Sequence, residues 1–254
     1  MAVKPNYGPN YGPNYGIDAP GVIRNLMIAG VVLVAVNVVW PRISLGNVEL
    51  RLFPGFVYSG AFCILGGLLM LLYSKVGKFR HRDRMLARVT WTGAETVLDA
   101  GTGRGLLLIG AAKQLTTGHA TGIDIWNAED LSGNGPEGLL ANIALEGVEG
   151  KTTVKSEDAR QMSFPDASFD VVLSNLCLHN IYDPVGRRKA CLEIARVLNC
   201  GGVAVISDFR HVREYARVFA EAGLMVTLYT PDWLRTYPPL RMVVARKAAP
   251  GYQP

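Results

Sequence analysis

Charged residues are scarce in this chain of 254 residues: only 19% are Asp, Glu, Lys or Arg, whereas 49% are hydrophobic. Disordered chains are rich in charge and poor in apolar residues, so this composition excludes a largely disordered protein. Cysteine and histidine are also rare, with four residues of each. The cysteines form no CxxC pair and the histidines have no ligand spacing, which argues against a metal site and favours reduced thiols in a cytosol-facing protein.

The basic residues are distributed unevenly. Residues 1–88 hold ten basic and three acidic residues, a net charge of +7, whereas residues 89–254 hold 16 basic and 18 acidic residues, a net charge of −2. The larger part therefore has no broad positive surface for phosphates, and we expect no nucleic-acid partner.

The motif PNYG is repeated three times over residues 5–16. Its Pro and Gly content and its lack of aliphatic side chains prevent it from building a core. We expect residues 1–20 to be a disordered tail, whose tyrosines either have no particular role or form a ligand for a partner.

Two uncharged apolar segments follow, over residues 25–41 and 52–74. As helices they would be about 25 and 34 Å long, against a hydrocarbon core of about 30 Å, so the second is the stronger membrane span. Neither has the polar stripe of a surface helix. We expect residues 21–76 to form a two-helix membrane hairpin. Close packing is expected at three small residues spaced by four: Ser59, Cys63 and Gly67.

Other interpretations of these segments are a pair of buried core helices or a cleaved signal peptide. The second is disfavoured because Val38, Val39 and Trp40 lack the small side chains of a cleavage site. Six basic residues and one acidic residue lie over 75–88, whereas the loop 42–51 holds two basic residues and one acidic residue. Positive residues stay on the cytoplasmic side, so both termini and the following domain are expected there.

From about residue 89, short apolar strands alternate with helical segments, which is typical of a doubly wound α/β sheet. The expected strands are 96–100, 120–126, 152–158, 168–176, 201–209, 224–230 and 241–247. Helices are expected at 106–115, 132–148, 184–198 and 211–223. The last two strands have the pattern of an antiparallel pair. We therefore predict a seven-stranded sheet whose last strand is antiparallel, preceded by two transmembrane helices.

Three motifs follow the first three strands. A Gly-rich turn, GTGRG, comes after the first strand and has the spacing GxGxG instead of the dinucleotide pattern GxGxxG. Asp124 ends the second strand, where a carboxylate can bind ribose hydroxyls, and Asp158 follows the third. Open α/β sheets bind ligands at the carboxyl ends of their strands, so these motifs predict a nucleoside site that does not hold a dinucleotide.

These residues resemble the class I S-adenosylmethionine-dependent methyltransferases, in particular the group that methylates small molecules, quinones and lipids. The resemblance covers about residues 85–247 and rests on six motifs in family order: VLDAGTGRG, GIDIW, SEDAR, FPDASFDVV, SNLCLHNI and EIARVLNCGG. It implies a methyltransferase domain, which we assign to residues 77–254, with S-adenosylmethionine as its cofactor. The motif SNLC lacks the Asn-Pro-Pro-aromatic signature of nucleic-acid and glutamine methyltransferases, which agrees with the charge distribution.

The resemblance implies eight cofactor-binding residues. Those expected at the methionine part and the sulfonium are Asp99, Gly101, Gly103 and Asn175. Those expected at the ribose and the adenine are Asp124, Ile125, Asp158 and Ala159.

Methyl transfer from a sulfonium is an in-line displacement, in which the protein mainly aligns the acceptor. A base is needed only if the acceptor still carries its proton. His179 follows the fourth strand at the cofactor edge and is the candidate base, because an imidazole titrates near neutral pH. The alternative is a loop histidine bonded to backbone. Further candidates at the same rim are Tyr182, Asp208 and His211.

A membrane anchor raises the local concentration of acceptors dissolved in the bilayer. The sequence therefore predicts a membrane-anchored methyltransferase that acts on a small, hydrophobic or lipid-like acceptor at the cytoplasmic side. The alternative is a module that binds S-adenosylmethionine as a sensor or scaffold without turnover. The sequence sets no oligomeric state.

Overall fold

Two long helices and a short hairpin precede an α/β domain in the computed structural model, which describes residues 12–46, 48–51, 55–249 and 251. Helix α1 spans Pro20–Val39 and α2 spans Gly55–Leu72, and between them β1 (Arg42–Leu45) pairs with β2 (Val48–Arg51) in an antiparallel hairpin. With 20 residues, α1 is longer than the 17-residue uncharged segment because it includes Arg24 and the residues before it. Its length of about 30 Å matches a hydrocarbon core.

The two long helices cross at a pair of glycines. A Cβ atom on Gly30 would lie 2.7 Å from the carbonyl oxygen of Gly60, and one on Gly60 would lie 2.8 Å from that of Gly30. Backbones approach this closely only where side chains are missing. The predicted small-residue face is confirmed at Gly67, which is buried against Met27, and is wrong at Ser59, which is exposed.

The second long helix runs without a break into the α/β domain. A π-helical turn at Tyr73–Gly77 joins α2 to α3, which spans Lys78–Leu86. Met85 and Leu86 of α3 are buried in the core of the α/β domain. The apolar helix is thus attached to the domain by continuous helix instead of by a flexible linker.

Seven strands form the sheet of the α/β domain. They are β3 (Thr96–Ala100), β4 (His119–Asp124), β5 (Thr152–Ser156), β6 (Phe169–Asn175), β7 (Leu198–Asp208), β8 (Met225–Leu228) and β9 (Arg241–Arg246). Their order is β5-β4-β3-β6-β7-β9-β8. The last strand, β9, is antiparallel to both neighbours, and the other neighbouring strands pair in parallel. The predicted seven-stranded sheet is confirmed.

Helices cover both faces of this sheet. Besides α3 they are α4 (Leu106–Ala112), α5 (Pro136–Leu145), α6 (Pro184–Val197) and α7 (Val212–Glu221). Val97 and Leu98 are adjacent on β3 but belong to different buried clusters, because successive side chains of a strand point to opposite faces. The strand order reverses between β3 and β6, so the carboxyl ends of these two strands border the crevice where such sheets bind ligands.

Residues 12–19, which we call the N-terminal strap, follow an ordered path over the α/β domain. Tyr15 is only 5% exposed, and its hydroxyl donates a hydrogen bond to Glu146 Oε1 at 2.7 Å. Asn14 and Asn142 exchange two hydrogen bonds of 2.8 and 2.9 Å. This segment, which the sequence assigned to a disordered tail, is thus seated on the domain through an aromatic ring and an amide. Residues 1–11 lie outside the described part of the chain.

Candidate active site

Asp99 holds the Gly-rich turn that follows β3. Its side chain is nearly inaccessible, and Oδ2 accepts hydrogen bonds from Thr102 Oγ1 and from the backbone N–H of Leu108, both at 2.9 Å. Burial raises the pKa of Asp99 to about 7. Asp99 thus stabilises the turn through its buried carboxylate. Its contact with the methionine part of a cofactor stays a prediction.

The two predicted glycines of the turn have left-handed backbone, with φ of +77° at Gly101 and +52° at Gly103. A Cβ atom on Gly101 would lie 2.2 Å from the Sγ atom of Cys177, which follows β6. The turn therefore requires glycine at this position, and it brings bare backbone to the crevice between β3 and β6.

Asp124 joins the turns that follow β3 and β4. Its Oδ2 accepts a hydrogen bond from the backbone N–H of Gly103 at 2.7 Å, and its Oδ1 accepts one from that of Trp126 at 2.7 Å. Each carboxylate oxygen has a further lone pair for a ligand hydroxyl. Ile125, between the two, is 65% exposed at the mouth of the crevice. Both residues are available where the sequence expects ribose and adenine.

Asp158 is already engaged by a neighbour that the sequence reasoning missed. Arg160 Nη2 lies 2.6 Å from Asp158 Oδ2, and the backbone N–H of Arg160 donates to Oδ1 at 2.8 Å. These hydrogen bonds lower the pKa of Asp158. Ala159 is 9% exposed and belongs to the core. An adenine amino group would have to share the carboxylate with Arg160.

Asn175 ends β6 directly beside Ser207, its partner in β7. Leu176, the next residue, has left-handed backbone with φ of 54°, a conformation that costs a non-glycine residue about 1 kcal/mol or more. The Asn175 Oδ1 atom is buried and has no hydrogen-bond partner among the described residues. A buried acceptor without a partner is a place where a ligand can bind.

His179 and Asp208 form a pair that the sequence named only as separate candidates. The His179 Nδ1 atom lies 2.8 Å from Asp208 Oδ1, although the ring is not aligned for a hydrogen bond. Asp208 is fully buried, and the backbone N–H of His179 donates to its Oδ2 at 3.1 Å. The His179 ring also packs edge-on against Phe209. A buried carboxylate at Nδ1 leaves Nε2 for a reacting group.

The other two rim candidates, Tyr182 and His211, do not join the pair of His179 and Asp208. Tyr182 is 88% exposed, and His211 precedes α7 with its Nδ1 3.5 Å from Glu214 Oε2. A cleft beside Phe209 is lined by residues of the β7–α7 turn, the start of α7, the segment 231–240 and the start of β9: Arg210, His211, Arg213, Pro231, Pro239 and Arg241. In the described ranges, no group of three or more His, Cys, Asp or Glu side chains is arranged to hold a metal ion.

His81 of α3 reaches the same edge of the sheet, which the sequence did not predict. Its ring is 3% exposed, with Nε2 2.7 Å from Ser207 Oγ and Nδ1 3.2 Å from Arg84 Nη2. A guanidinium only donates, so Nδ1 accepts and Nε2 carries the proton that Ser207 receives. The helix that leaves the apolar hairpin is thereby bonded to the strand that ends in Asp208.

The N-terminal strap closes the other side of the crevice. Ser132, in the loop after β4, and Ile17 exchange hydrogen bonds of 2.7 and 3.1 Å. Lys78 of α3 is buried, and its Nζ donates to the carbonyl oxygens of Tyr15 and Gly16, both at 2.7 Å. The strap thus ties the loop beside Asp124 to the helix that enters from the hairpin.

This architecture matches solved structures, among them a methyltransferase. The YcgJ protein of Bacillus subtilis matches with a TM-score of 0.53 and 16% identity, over 66% of this chain and 98% of that chain. A SAM-dependent methyltransferase from Aquifex aeolicus matches with a TM-score of 0.52 and 18% identity, over 65% of this chain and 88% of that chain. At these identities the likeness shows the fold, which is the class I methyltransferase fold.

Sequence comparison identifies the domain. The family model described as "Methyltransferase domain" matches residues 98–206. A protein named ubiquinone/menaquinone biosynthesis C-methyltransferase, from Bdellovibrio bacteriovorus, is 35% identical over 127 residues, 49% of each chain. A demethylmenaquinone methyltransferase from Tropheryma whipplei is 31% identical over 137 residues, 54% of this chain and 51% of that one. The chain spans about half the length of the curated relatives it matches.

Residues 98–206 are thus a methyltransferase domain of the S-adenosylmethionine-dependent class, as the motifs predicted. The residues at the crevice fit this cofactor. Gly101 has no room for a side chain, Asp124 has free lone pairs at the end of β4, and the Oδ1 atom of Asn175 lacks a partner in the described structure. The individual cofactor contacts stay predictions.

Proposed function

We propose that this protein is a membrane-anchored S-adenosylmethionine-dependent methyltransferase that acts on a small, hydrophobic or lipid-like acceptor. The observation that carries the proposal is the unbroken helix from α2 through the π-helical turn into α3. It brings an apolar helix of membrane length to the edge of the sheet that holds Asn175 and Asp208. An acceptor dissolved in a bilayer would reach the site along this helix.

The exposure of the two long helices supports a lipid environment. Of the most apolar stretch of each helix, only 11% in α1 and 17% in the helix containing α2 is buried. Core helices of a soluble domain would bury most of these residues. Instead, Val38 is 73% exposed and Phe62 is 70% exposed. Contiguous apolar surface of this kind is typically covered by membrane or by a partner.

The segment 231–240, between β8 and β9, adds a third apolar contact. Trp233 is 75% exposed and Leu234 is 95% exposed. The same segment lies along α2, because a Cβ atom on Gly66 would be 3.2 Å from the Tyr237 hydroxyl oxygen. Exposed tryptophan is typical of the lipid–water interface. These side chains therefore support docking of the catalytic edge on the bilayer surface.

The charges after α2 support a cytoplasmic catalytic domain. Lys75, Arg80 and Arg88 are exposed beyond the apolar helix. Lys78 is buried on the strap, and Arg84 is paired with Asp232, so the basic flank has fewer free charges than the sequence alone indicates. By the positive-inside rule, the exposed cations support a cytoplasmic position for this flank.

The chemistry assigned to this chain is alignment of the acceptor and removal of its proton. When bound, S-adenosylmethionine supplies a methyl group on a positively charged sulfur. Gly101, Asp124 and Asn175 would hold this cofactor, which would give its methyl group to the acceptor atom and keep the electron pair of the broken carbon–sulfur bond. The proton of the acceptor passes to His179 Nε2, and the buried Asp208 carboxylate stabilises the resulting imidazolium. The Phe209 ring packs edge-on against the imidazole and helps to hold its orientation.

The acceptor class follows from the membrane contacts and from the relatives. Two relatives are named for methylation in ubiquinone, menaquinone or demethylmenaquinone metabolism, and such ring acceptors carry long apolar tails. A molecule with a polar ring and an apolar tail suits a site to which the helix continuing α2 is hydrogen-bonded. Reduced demethylmenaquinone is accordingly the first defined acceptor to test.

The test is transfer of label from methyl-labelled S-adenosylmethionine by the full-length protein, with a cell lysate or with reduced demethylmenaquinone in phosphatidylcholine vesicles. The reaction is partitioned between organic and aqueous phases, with Asp124→Ala as the control deficient in cofactor binding. Label in the organic phase is expected. Label confined to the aqueous phase would contradict a hydrophobic acceptor. No transfer despite bound cofactor would favour the sensor or scaffold alternative.

A further inference from the structure

Three arginines line the cleft beside Phe209, which has a volume of about 250 Å³. Arg210 and Arg213 follow β7 in the chain, and Arg241 opens β9. Because β9 is antiparallel to β7, its first residue pairs with the last residue of β7, Asp208. The fold thereby collects the three cations at one end of β7. No acidic side chain lines the cleft in the described part of the chain.

These guanidinium groups have no counter-charge. Within the described ranges, none of the three forms an ion pair or a side-chain hydrogen bond. Arg210 only lies over the Phe209 ring, with its Cζ atom 5.8 Å from the ring centroid. By contrast, Arg187 of α6 pairs with Glu214 at 3.1 Å. Like charges around one cleft repel each other, and a bound anion removes that repulsion. The unpaired arginines therefore point to an anionic ligand.

The acidic residues nearest to the cleft in the chain are engaged elsewhere. Glu214 accepts two hydrogen bonds from Arg187, of 3.1 and 3.3 Å. Asp232 pairs with Arg84 of α3. Asp208 is fully buried and belongs to the pair that contains the candidate base. These three carboxylates are thus not available to neutralise the arginines.

A phosphate group suits this set of donors. A guanidinium donates two parallel hydrogen bonds to phosphate oxygens, and the geometry of its planar fork matches them. A phosphate also has enough acceptor oxygens to bind more than one arginine at the same time. Three arginines around one cleft therefore favour a phosphate over an uncharged ligand.

The walls of the cleft connect it to the lipid contacts. Pro231 and Pro239 belong to the segment 231–240, which also carries the exposed Trp233 side chain. The same segment touches α2 at Gly66. Acidic phospholipids present their phosphate at the bilayer surface, the region where exposed tryptophans lie. A lipid phosphate can thus reach the arginines without leaving the membrane.

We propose that this cleft binds the phosphate group of an acidic phospholipid at the bilayer surface. The inference rests on the membrane anchoring in the proposed function. Phe209 forms part of the cleft and packs against the His179 ring, with the two centroids 4.6 Å apart. A lipid bound by the arginines holds the catalytic edge of the sheet against the membrane, beside the candidate base. In this role the lipid positions the domain and takes no part in methyl transfer.

The test is calorimetric titration of the full-length protein, in an uncharged detergent, with water-soluble dihexanoyl phosphatidylglycerol. Two further titrations use dihexanoyl phosphatidylcholine, whose phosphate is neutralised by choline, and inorganic phosphate. We expect phosphatidylglycerol to bind most tightly. Arg213→Gln and Arg241→Gln should each raise its Kd roughly tenfold, because each removes a charge-assisted hydrogen bond. Arg217→Gln is the matched control, since Arg217 lies one turn further along α7 with its side chain 71% exposed. It removes the same charge and should leave the Kd unchanged.

The possible outcomes separate the ligands. Unchanged Kd values in both Arg213→Gln and Arg241→Gln would overturn the inference, as would equal affinity for the two lipids. Inorganic phosphate that binds as tightly as phosphatidylglycerol would assign the cleft to a soluble phosphate compound instead of a lipid. An equal loss in Arg217→Gln would show general charge attraction without a site. Unfolding temperatures without lipid check the folding of each variant, and if Arg241→Gln unfolds early, Arg213→Gln decides alone.

The titration needs no turnover, so the inference and the proposed function can fail separately. If the wild type labels nothing in the organic phase, the hydrophobic acceptor fails while the lipid affinity is still measured. Labelling in the organic phase without any preference for the acidic lipid defeats the inference alone.

Discussion

His81 Nε2 lies 2.7 Å from Ser207 Oγ and bonds the helix that leaves the apolar hairpin to the carboxyl end of β7. The next residue of that strand, Asp208, holds His179. Ser207 and Asp208 therefore link His81, on the helix that continues α2, to the candidate base His179. A change in how α3 sits on the domain would move the site.

We expect His81→Ala to lower both stability and turnover. It removes a buried hydrogen bond and leaves Ser207 Oγ without its donor, a loss of about 1–3 kcal/mol. The unfolding temperature of the detergent-solubilised protein should fall by several degrees, while S-adenosylmethionine still binds. His119→Ala is the control, since the bond from that ring to Thr153 is exposed. Equal unfolding temperatures for the two variants would refute this role of His81.

His179→Ala should slow methyl transfer about 10²- to 10⁴-fold, the usual loss of a general base, without changing cofactor affinity. Asp208→Asn should also slow transfer, because the imidazolium loses its buried counter-charge. If the two act as a unit, the double variant is no slower than His179→Ala alone. Single-turnover labelling measures these rates. Wild-type rates in His179→Ala would exclude it as the base.

Asp124→Ala should weaken binding of S-adenosylmethionine by about 1.5–3 kcal/mol, which is the range for a hydrogen bond to a charged group. Calorimetric titration of the full-length protein in detergent measures this affinity. Asp166→Ala is a suitable control, because that carboxylate is 80% exposed and pairs only at the surface with Arg196. Unchanged affinity in Asp124→Ala would contradict the ribose assignment.

Asp99 should make stability depend on pH. Its pKa is raised from 3.8 to about 7 in the folded protein, so the native state keeps a proton that the unfolded state releases. The free energy of unfolding therefore falls as pH rises from about 4 to about 7. Asp99→Asn stays neutral, and its unfolding temperature relative to the wild type should rise over this range. Asp170→Asn is the contrast, because hydrogen bonds lower the pKa of Asp170 below its usual 3.8. Its unfolding temperature relative to the wild type should fall as pH rises toward about 4 and stay constant from about 5 to 7. A difference between Asp99→Asn and wild type that is constant with pH would contradict this account.

Tyr15→Ala should destabilise the protein by about 3–5 kcal/mol, because it empties a buried aromatic site. The Tyr15 ring packs against Phe79 of α3, so the strap should also lose its hold on that helix. Thermal unfolding measures the effect, with Tyr182→Ala as the exposed control. A strap that contributes nothing to the fold would give the two variants the same unfolding temperature.

The fold and the turns at the carboxyl ends of its strands were predictable from sequence because their signals are local. The strand TVLDA and its Gly-rich turn are adjacent in the chain, and the acid that ends β4 is set by the same strand-to-turn pattern. Left-handed backbone at Gly101 needs glycine wherever the rest of the chain lies. The PNYG repeat gave a misleading prediction because composition, too, is a local signal. Its composition predicts no core of its own, but Tyr15 docks in a site made by other segments.

The sequence by itself determined the α/β sheet, the Gly-rich turn, the acid at Asp124 and the two apolar helices, because each depends on periodicity or on neighbouring residues. Only the tertiary structure decided that His179 faces Asp208 and that His81 bonds Ser207. It also decided that Tyr15 docks against Phe79 and Glu146. Such contacts depend on how distant segments pack, and no spacing along the chain encodes them.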